Sequence, residues 1–410
     1  MVENSQMIYT CYGCGREAPV EAGFVCAGCG EPCSLRVTRV IPDDVLRQRP
    51  DSLWHYFDLL PIASQAHVVS LGEGATPLVP APKLAKRLGL GELLLKNEMG
   101  NPTGSFKDRQ VSVGISHARE IGADTVAVVS SGNVAAATAA YAARAGMKAV
   151  VLMHAHAGAG KMAQAAAYGA KVIRVRSDAP SAVFQLCLEA CKRWGWYHLS
   201  TAGMYAPYNV EGAKTVAYEL YQQYGGVLPE YLLAPVGGGG LLGGIWRGFL
   251  DLQRLGLISR IPRLVGVQAA GCAPLQQAIE NGWSFRESLK HPWKNPKTVA
   301  GGIADDILFD GHTVIPAIRT THGSVISVDD EEIAKGRDLL AQEEGLLCEL
   351  TSAVVIAALA KREGLPPDSR VCCVVTGNGI KETGLWGANF APGAAIPPVL
   401  SALEKCIAHG

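Results

Sequence analysis

The chain has 410 residues, of which 48% are hydrophobic, and its 37 Lys and Arg residues balance 37 Asp and Glu residues. This length is enough for two or more domains with a substantial core. A chain without net charge lacks the field that attracts nucleic acid or an anionic membrane, and no apolar run approaches the ~18 residues of a membrane helix. Residues 1–6 are polar and acidic, unlike a secretory signal. We therefore expect a cytoplasmic protein that acts on small molecules, with no nucleic-acid or membrane partner.

The N-terminal region contains two C-x2-C pairs, Cys11 with Cys14 and Cys26 with Cys29. Four thiolates at this spacing can surround one tetrahedral zinc ion, and a short segment needs a metal because it cannot bury enough apolar surface to fold alone. Disulfides are the alternative, and they are disfavoured in a chain without an export signal. The spacing predicts a structural zinc site, with nearby Cys33 able to substitute for one ligand.

One lysine stands at the predicted start of a helix. Residues 93–95 are apolar and predict a short strand, a turn-forming Asn-Pro-Thr-Gly follows, and a helical pattern begins at Lys107. The unpaired N–H groups and the positive dipole end of a first turn disfavour a charged lysine there. The position suits a neutral nucleophile that forms a Schiff base. A surface lysine beside Asp108 is the alternative.

A second turn follows the buried strand at 126–129 and consists of Ser130, Ser131, Gly132 and Asn133. Backbone N–H groups and hydroxyls at such a turn suit a carboxylate, and the Asn133 amide can donate to a ring oxygen. An ordinary strand–helix connection explains the same residues.

Four consecutive glycines, at 237–240, lie between an apolar strand and a helix. Glycines are entropically costly and pack no core, so a run of four indicates close approach of a ligand to the backbone. Such a loop forms a concave nest of N–H groups suited to phosphate. The run also matches G-x-G-x-x-G, but the next strand ends at neutral Gln268 where a nicotinamide site needs an acidic residue for the ribose. A nicotinamide cofactor is therefore the weaker alternative.

The last buried strand, at 371–375, ends in Thr376 and is followed by glycines. If a pyridine nitrogen lies at this strand end, the threonine hydroxyl offers it an uncharged hydrogen bond. The ring then stays less protonated, which suits elimination and replacement rather than transamination. A strand closed by a turn explains the same residues.

Together these segments resemble the fold-type II pyridoxal-phosphate enzymes of the tryptophan synthase β superfamily, and most of all threonine synthase. The resemblance spans roughly residues 53–384, in the family's order. It is carried by these segments: SLGEGATPL at 70–78, NPTGSFKDR at 101–109, SGN at 131–133, GKMAQ at 160–164, EGAKT at 211–215, GGGG at 237–240 and TGNG at 376–379. It implies a two-domain α/β fold with mainly parallel sheets, to which the chain adds a small N-terminal zinc ribbon with four cysteine ligands, and it implies a homodimer.

The resemblance also implies roles for individual residues. Lys107 would be the catalytic residue that binds pyridoxal 5'-phosphate covalently, Asn133 would bond the ring hydroxyl, and Thr376 would face the ring nitrogen. The other cofactor-binding residues would be Phe106 and, around the phosphate, Gly237, Gly238, Gly239 and Gly240. The substrate-binding residues would be Ser105, Ser130, Ser131, Gly132, Lys161 and Asn209. Apart from the resemblance, Lys161 and Arg109 are candidates for contact with an anionic substrate group, and solvated helix positions are the alternative for both.

Three positions depart from the threonine synthase pattern. The family's Asn-Pro-Tyr-Arg run is Ala-Pro-Tyr-Asn here, ending at Asn209, and so lacks an arginine that would grip a phosphate with two hydrogen bonds. Val134 replaces a threonine and Asn378 replaces a histidine. Because the cofactor segments are intact, we predict retained pyridoxal chemistry on an amino-acid substrate whose identity these changes leave open.

The leading functional hypothesis is a lyase or synthase that eliminates phosphate from O-phosphohomoserine and adds water or another nucleophile. The nearest alternatives are β-replacement on O-phosphoserine, as in cysteate synthases, and β-elimination resembling a serine/threonine dehydratase. A regulatory relative without activity is another alternative, against which the intact Lys107, glycine run and Thr376 count.

We predict four parts of the chain: a zinc-ribbon-like module at 1–40, a linker with the start of the large domain at 41–100, a small domain carrying the lysine at 101–200, and a large cofactor-binding domain at 201–410. The glycine-rich and polar segment 295–310 is expected at the edge of the active site. His154 and His156 are expected in a solvated loop rather than in a metal site.

Overall fold

A computed structural model describes residues 7–20, 23–39, 41, 45–155, 159–176, 180–361, 365–382, 384 and 395–408. It is mixed α/β and contains three sheets, one antiparallel and two mainly parallel. The predicted α/β class with mainly parallel sheets is therefore confirmed.

The N-terminal sheet is small and antiparallel. It has the strand order β2-β1-β3 and consists of β1 (Met7–Cys11), β2 (Glu17–Pro19) and β3 (Cys33–Val37). Alternate residues of β1 are buried, as expected for a strand with one face against a core. That core is small, and cysteines form half of its buried members: Met7, Tyr9, Cys11, Cys26, Cys33 and Leu35.

A four-stranded parallel sheet has the order β8-β7-β6-β9. Its strands are β6 (Thr125–Val129), β7 (Lys148–His154), β8 (Lys171–Val175) and β9 (Tyr197–His198). Its helices are α2 (Lys107–Glu120), α3 (Asn133–Ala145), α4 (Ala159–Ala167) and α5 (Pro180–Trp194). Parallel strands need such helical crossovers, which cover both faces of the sheet.

The six-stranded sheet has the order β12-β11-β10-β13-β5-β4, and only the edge strand β4 runs antiparallel to its neighbour. Its strands are β4 (Leu78–Pro80), β5 (Glu92–Asn97), β10 (Tyr231–Pro235), β11 (Arg263–Ala269), β12 (Ser324–Val328) and β13 (Arg370–Val375).

The remaining helices accompany the six-stranded sheet in sequence. They are α1 (Pro82–Leu88), α6 (Pro207–Val210), α7 (Thr215–Gln223), α8 (Gly240–Arg254), α9 (Pro274–Glu280), α10 (Phe285–Leu289), α11 (Gly311–Thr320), α12 (Asp330–Glu344), α13 (Leu350–Lys361) and α14 (Leu400–Ala408). Short 3-10 turns lie at Leu53–Leu59, Gln65–His67, Glu98–Gly100, Glu211–Lys214, Gly301–Ile303 and Gly379–Glu382.

The central strand β10 shows how the large core is divided. Leu233 belongs to the apolar cluster on one face of the sheet, whereas Leu232 and Ala234 belong to the cluster on the other face. Both faces are thus buried, which explains why this strand is apolar throughout rather than alternating. Within the described residues, every helix is too short or too polar to cross a bilayer.

Candidate active site

The glycine run and Thr376 lie side by side because they follow neighbouring strands. The glycines follow β10, Thr376 follows β13, and these two strands pair in parallel in the six-stranded sheet. The carboxyl ends of parallel strands meet at one edge of a sheet, where open α/β folds bind their ligands. The topology therefore brings two segments that are distant in sequence to one edge.

Lys107 is the first residue of α2, as predicted, and its side chain is half-buried. The Nζ atom donates to Thr201 Oγ1 at 3.2 Å and lies 4.5 Å from the centre of the Phe106 ring. Burial lowers the pKa of this amine to about 8, although three nearby carboxylates act in the opposite direction. These carboxylates are Asp305, Asp310 and Glu349. A substantial neutral fraction is therefore present close to physiological pH.

The glycine loop has no room for side chains. Gly239 caps the start of α8 with a φ of 101°, and a Cβ there would lie 2.7 Å from Val314 Cγ1. A Cβ on Gly237 would lie 2.5 Å from Asp305 Oδ2. Since glycine alone adopts this backbone without strain, the loop keeps its N–H groups exposed at a helix N-terminus.

One N–H of this loop already binds an anion from the chain itself. Gly238 N–H donates to the Asp305 carboxylate at 2.7 Å. The carboxylate stands in here for an oxygen of the phosphate that the loop is expected to hold. This site fits a pyridoxal-phosphate group. The backbone N–H groups of the glycine loop can bind the phosphate, the loop has no Cβ atoms to obstruct it, and the Lys107 amine is adjacent.

These residues line one cavity of about 660 Å³, a volume suited to a cofactor together with a small substrate. Seven predicted residues line it: Phe106, Lys107, Gly237, Gly238, Gly239, Gly240 and Thr376. The segment expected at the edge of the site does contribute to its wall, through Asp305 and Asp310 among others.

Asn133 lies beside this cavity and is paired with a glutamate that the sequence reasoning missed. The Asn133 amide nitrogen donates to both oxygens of Glu349 at 3.0 Å, and its own Oδ1 atom is buried without a hydrogen-bond partner among the residues that the structure describes. A buried polar atom without a partner is costly and marks a place where a ligand can bind. Nearby, the Thr376 hydroxyl lies 2.7 Å from Ser352 Oγ.

The predicted carboxylate-binding turn is formed at the carboxyl end of β6. Ser131 is exposed, Ser130 and Gly132 are half-buried, and Gly132 N–H donates to Ser130 Oγ at 3.1 Å. Ser105 is buried next to Gly377, and within the described part of the chain its hydroxyl has no hydrogen-bond partner.

Two other candidates are placed away from the cavity. Asn209 is fully buried, donates to Ser200 O at 2.6 Å and accepts from the Tyr197 hydroxyl at 3.2 Å, so its amide holds the backbone behind the site. Arg109 is fully buried in an ionic network, which makes the suggested contact with substrate wrong. The side chain of Lys161, like all of His156, lies outside the described part of the structure.

Asp305 and Asp310 are site residues that sequence reasoning did not single out. Burial raises the pKa of Asp310 to about 7, although the Gly203 N–H that it accepts at 2.7 Å acts against this. Burial likewise raises the pKa of Asp305. The glycine-rich and polar segment 295–310 was expected at the edge of the active site. The sequence of this segment does not show that the carboxylates of Asp305 and Asp310 face the glycine loop.

A second cavity of about 680 Å³ lies at the four-stranded sheet and is lined by Ile173, Leu186, Trp194 and other mostly apolar residues. Enzyme sites combine an apolar wall with a few convergent polar groups and perturbed pKa values. Only the cavity at Lys107 has that combination, so it is the candidate active site among the described residues.

The cysteine pairs converge as predicted. The sulfur atoms of Cys11, Cys14, Cys26 and Cys29 all lie within 4.8 Å of one another, with Cys11 and Cys29 3.3 Å apart. A tetrahedral zinc–thiolate centre with bonds of about 2.3 Å needs sulfur separations of about 3.8 Å. This donor set fits zinc with all four positions filled by protein, and Cys33 is outside the cluster.

Comparison with known proteins agrees with this geometry. The family of pyridoxal-phosphate dependent enzymes matches residues 69–377. The threonine synthase of Methanocaldococcus jannaschii is 36% identical over 387 residues, which cover 92% of this chain and 93% of that protein. The threonine synthase of Synechocystis sp. is 39% identical over 333 residues, which cover 80% of this chain and 82% of that protein.

Solved structures show the same fold. The crystal structure of a threonine deaminase from T.th. is 29% identical with a TM-score of 0.63, covering 74% of this chain and 92% of that one. Maize serine racemase, at 22% identity and a TM-score of 0.63 over 77% of this chain and 91% of that one, shares the fold. The chain therefore belongs to the family of pyridoxal-phosphate dependent enzymes.

Proposed function

We propose that this enzyme is a threonine synthase-like lyase that eliminates phosphate from O-phosphohomoserine and adds water to give threonine. The observation that carries the proposal is the half-buried Lys107 amine, whose pKa is lowered to about 8 at the wall of the cavity that also contains the glycine loop. The threonine synthases at 36% and 39% identity support the reaction class. The proposal includes a structural zinc ion at the four-cysteine cluster and a cytoplasmic homodimer.

Each group of residues in the cavity has its own role in the proposed reaction. When bound, pyridoxal phosphate supplies an electron-withdrawing ring that stabilises negative charge at the substrate Cα. The N–H groups of the glycine loop would hold its phosphate, and the Lys107 amine would hold its aldehyde carbon. Lys107 would also move a proton at the substrate Cα. The Thr376 hydroxyl would offer an uncharged hydrogen bond to the ring nitrogen. The proposed domain boundaries place Lys107 in the small domain and the glycine loop in the large one.

The substrate carboxylate is proposed to bind at the turn after β6. Ser131 is exposed there at the start of α3, whose unpaired N–H groups favour an anion. Asn133, held by Glu349 at 3.0 Å, is proposed to contact the ring hydroxyl from the same turn.

A second candidate, dehydratase-like β-elimination from a hydroxy amino acid, is favoured by the charge of the cavity wall. Asp305, Asp306 and Asp310 line the cavity, and among its described lining residues Lys107 is the single lysine or arginine. A phosphate carries about −1.5 to −2 charges at neutral pH. A phosphorylated substrate would therefore meet repulsion from these carboxylates to the extent that Asp305 and Asp310, whose pKa values are raised by burial, are ionised. A substrate without a phosphate would avoid it.

The two candidates differ in their products. We would incubate the enzyme loaded with pyridoxal phosphate separately with O-phosphohomoserine, O-phosphoserine, L-serine and L-threonine, and measure inorganic phosphate, amino-acid products and 2-oxo acids. The proposal predicts equal amounts of phosphate and threonine from O-phosphohomoserine. O-phosphoserine consumed with a nucleophile would instead identify β-replacement, and 2-oxo acid from serine or threonine would identify the dehydratase-like reaction.

Lys107→Ala is the matched control, because it removes the amine and leaves the cavity wall otherwise intact. Its turnover should fall by at least about 10³-fold, since loss of the covalent and proton-transfer group removes several kcal/mol of transition-state stabilisation. If the Lys107→Ala variant turned over O-phosphohomoserine as fast as wild type, the assignment of Lys107 as the catalytic residue would be refuted. No threonine from O-phosphohomoserine with wild type would exclude the first candidate.

A further inference from the structure

The four-cysteine module, residues 7–20 and 23–37, contacts the wall of the candidate active site through one aromatic ring. Tyr12 lies between the candidate zinc ligands Cys11 and Cys14, and its side chain packs against the core beneath the six-stranded sheet. Its ring meets the edge of the His312 ring, with centroids 4.9 Å apart and planes at 64°. Phe285 contacts the same histidine at 5.1 Å. The buried His312 ring is thus held by Tyr12 and Phe285.

His312 belongs to the first turn of α11, and that turn is attached to the glycine loop. Asp310, the N-cap of α11, donates its backbone N–H to Gly238 O at 2.7 Å. Val314, one turn further, occupies the space that a Cβ on Gly239 would need. The position of the first turn of α11 therefore determines where the glycine loop can lie.

The joint between the module and this turn is packed. Tyr12, His312, Asp310 and Gly240 line one crevice of about 10 Å³, which is too small to hold a ligand. Packed contacts of this kind transmit displacement because protein interiors deform little. A displacement of the Tyr12 ring would therefore also displace Gly240.

Two arginines fix the rest of the module in place. Arg247 Nη2 donates to Leu35 O at 3.0 Å while it pairs with buried Glu211, and Arg286 Nη2 donates to Cys29 O at 2.8 Å. The module is attached at several separate points, so it is packed against α8 and α10 rather than connected by a flexible tether alone.

We propose that Tyr12 is a positioning residue, through which the four-cysteine module holds the first turn of α11 and the glycine loop in the geometry that binds the cofactor phosphate. The inference rests on the phosphate-binding role of Gly237–Gly240 in the proposed function. An aromatic contact of this type contributes about 0.5–1.5 kcal/mol, which corresponds to a change of up to about tenfold in affinity.

The test measures cofactor affinity rather than turnover. Full-length, zinc-containing apoenzyme would be titrated with pyridoxal phosphate, and with pyridoxal, which lacks the phosphate, by visible absorbance at a temperature well below unfolding. Tyr12→Ala should raise the dissociation constant for pyridoxal phosphate by about tenfold and leave that for pyridoxal nearly unchanged. Tyr12→Phe keeps the ring and should bind both like wild type.

The matched control is Phe24→Ala, which truncates an aromatic residue that packs against the core of the same module. It should leave the affinity for pyridoxal phosphate within about twofold of wild type. In a His312→Ala background the Tyr12→Ala substitution should have little further effect, because the contact is already absent. If Tyr12→Ala does not fold or loses zinc, Tyr12→Leu replaces it, with an expected loss of about threefold.

Three results would overturn the inference: unchanged affinity for pyridoxal phosphate in Tyr12→Ala, an equal loss for pyridoxal, or an equal loss in Phe24→Ala. Failure of wild type to bind pyridoxal phosphate at all would instead refute the cofactor site itself. The two failures are therefore distinguishable.

Discussion

Lys107 shows how one residue acquires its chemistry from its surroundings. Its position at the start of α2 was predicted from the sequence, and the structure adds burial as the larger cause of its lowered pKa, about 8. The reactive species is the neutral amine, which is the minor form below this pKa and the major form above it. Carboxylates act in the other direction and keep part of the population charged.

The rate at which apoenzyme captures pyridoxal phosphate should therefore follow the neutral fraction of Lys107. We expect the rate to rise by about tenfold per pH unit below pH 8 and to level off above it, whereas an ordinary lysine would give a rise up to about pH 10.4. Stopped-flow absorbance over a range of about pH 6 to 10.5 measures this profile. Asp305→Asn removes a charge that raises the pKa of Lys107, so it should move the midpoint to lower pH. A midpoint near that of an ordinary lysine in wild type would contradict the assignment.

At the scale of elements, the four-cysteine module is too small to be stable by packing alone. Its buried core has only six members, of which Cys11, Cys26 and Cys33 are three. Because Cys11 and Cys26 also belong to the sulfur cluster, the proposed metal binding and the packing depend on the same residues. Such modules lose their fold when the metal is removed.

Cys14→Ser tests this dependence, since Cys14 is exposed and its loss removes a ligand without opening a cavity. We expect the zinc content to fall from about one ion per chain to nearly none, and limited proteolysis to cut within the module. Cys33→Ala is the control, because Cys33 is buried but outside the cluster, and it should keep its zinc. Zinc retained by Cys14→Ser and lost by Cys33→Ala would reverse the ligand assignment.

The sequence predicts features that depend on neighbouring residues, and it does not predict contacts between residues that are far apart in the chain. The start of α2 at Lys107, the glycine loop after β10 and Thr376 after β13 follow from local patterns and were correctly placed on their elements. The carboxylate of Asp305 on Gly238, in contrast, joins residues that are distant in sequence, and no local pattern contains this contact. Asn209 shows the same limit, because its burial depends on neighbours that its own segment does not specify.

At the scale of the whole molecule, a buried ionic network connects α2 to the large sheet. Arg109, two residues after Lys107, pairs with Glu98 at 2.7 Å and with Glu219 at 2.5 Å, and Glu219 also pairs with Lys96 at 2.5 Å. All four side chains are fully buried. The network includes β5, the turn that follows it, α2 and α7, so it fixes the helix that carries Lys107 against the six-stranded sheet.

Each buried charge in this network depends on its partners. Burial alone would raise the pKa of Glu219, but Arg109 and Lys96 outweigh it and lower the pKa to about 2. A carboxylate with a depressed folded-state pKa contributes stability that is present above its unfolded value, about 4.3, and lost as the pH falls toward about 2. The network should therefore stabilise the protein at neutral pH and fail in acid.

Glu219→Gln removes one charge while nearly preserving the volume of the side chain, and it leaves Arg109 and Lys96 incompletely paired. We expect the free energy of unfolding at neutral pH to fall by about 3–5 kcal/mol, because an uncompensated buried charge is costly. Urea unfolding followed by circular dichroism measures this, and the loss of stability between about pH 4.3 and about pH 2 should be smaller in the variant than in wild type. Glu331→Gln is the control, since Glu331 pairs with Lys335 on the exposed surface and should cost less than about 1 kcal/mol. Equal effects of the two substitutions would show that α2 is held by packing rather than by this network.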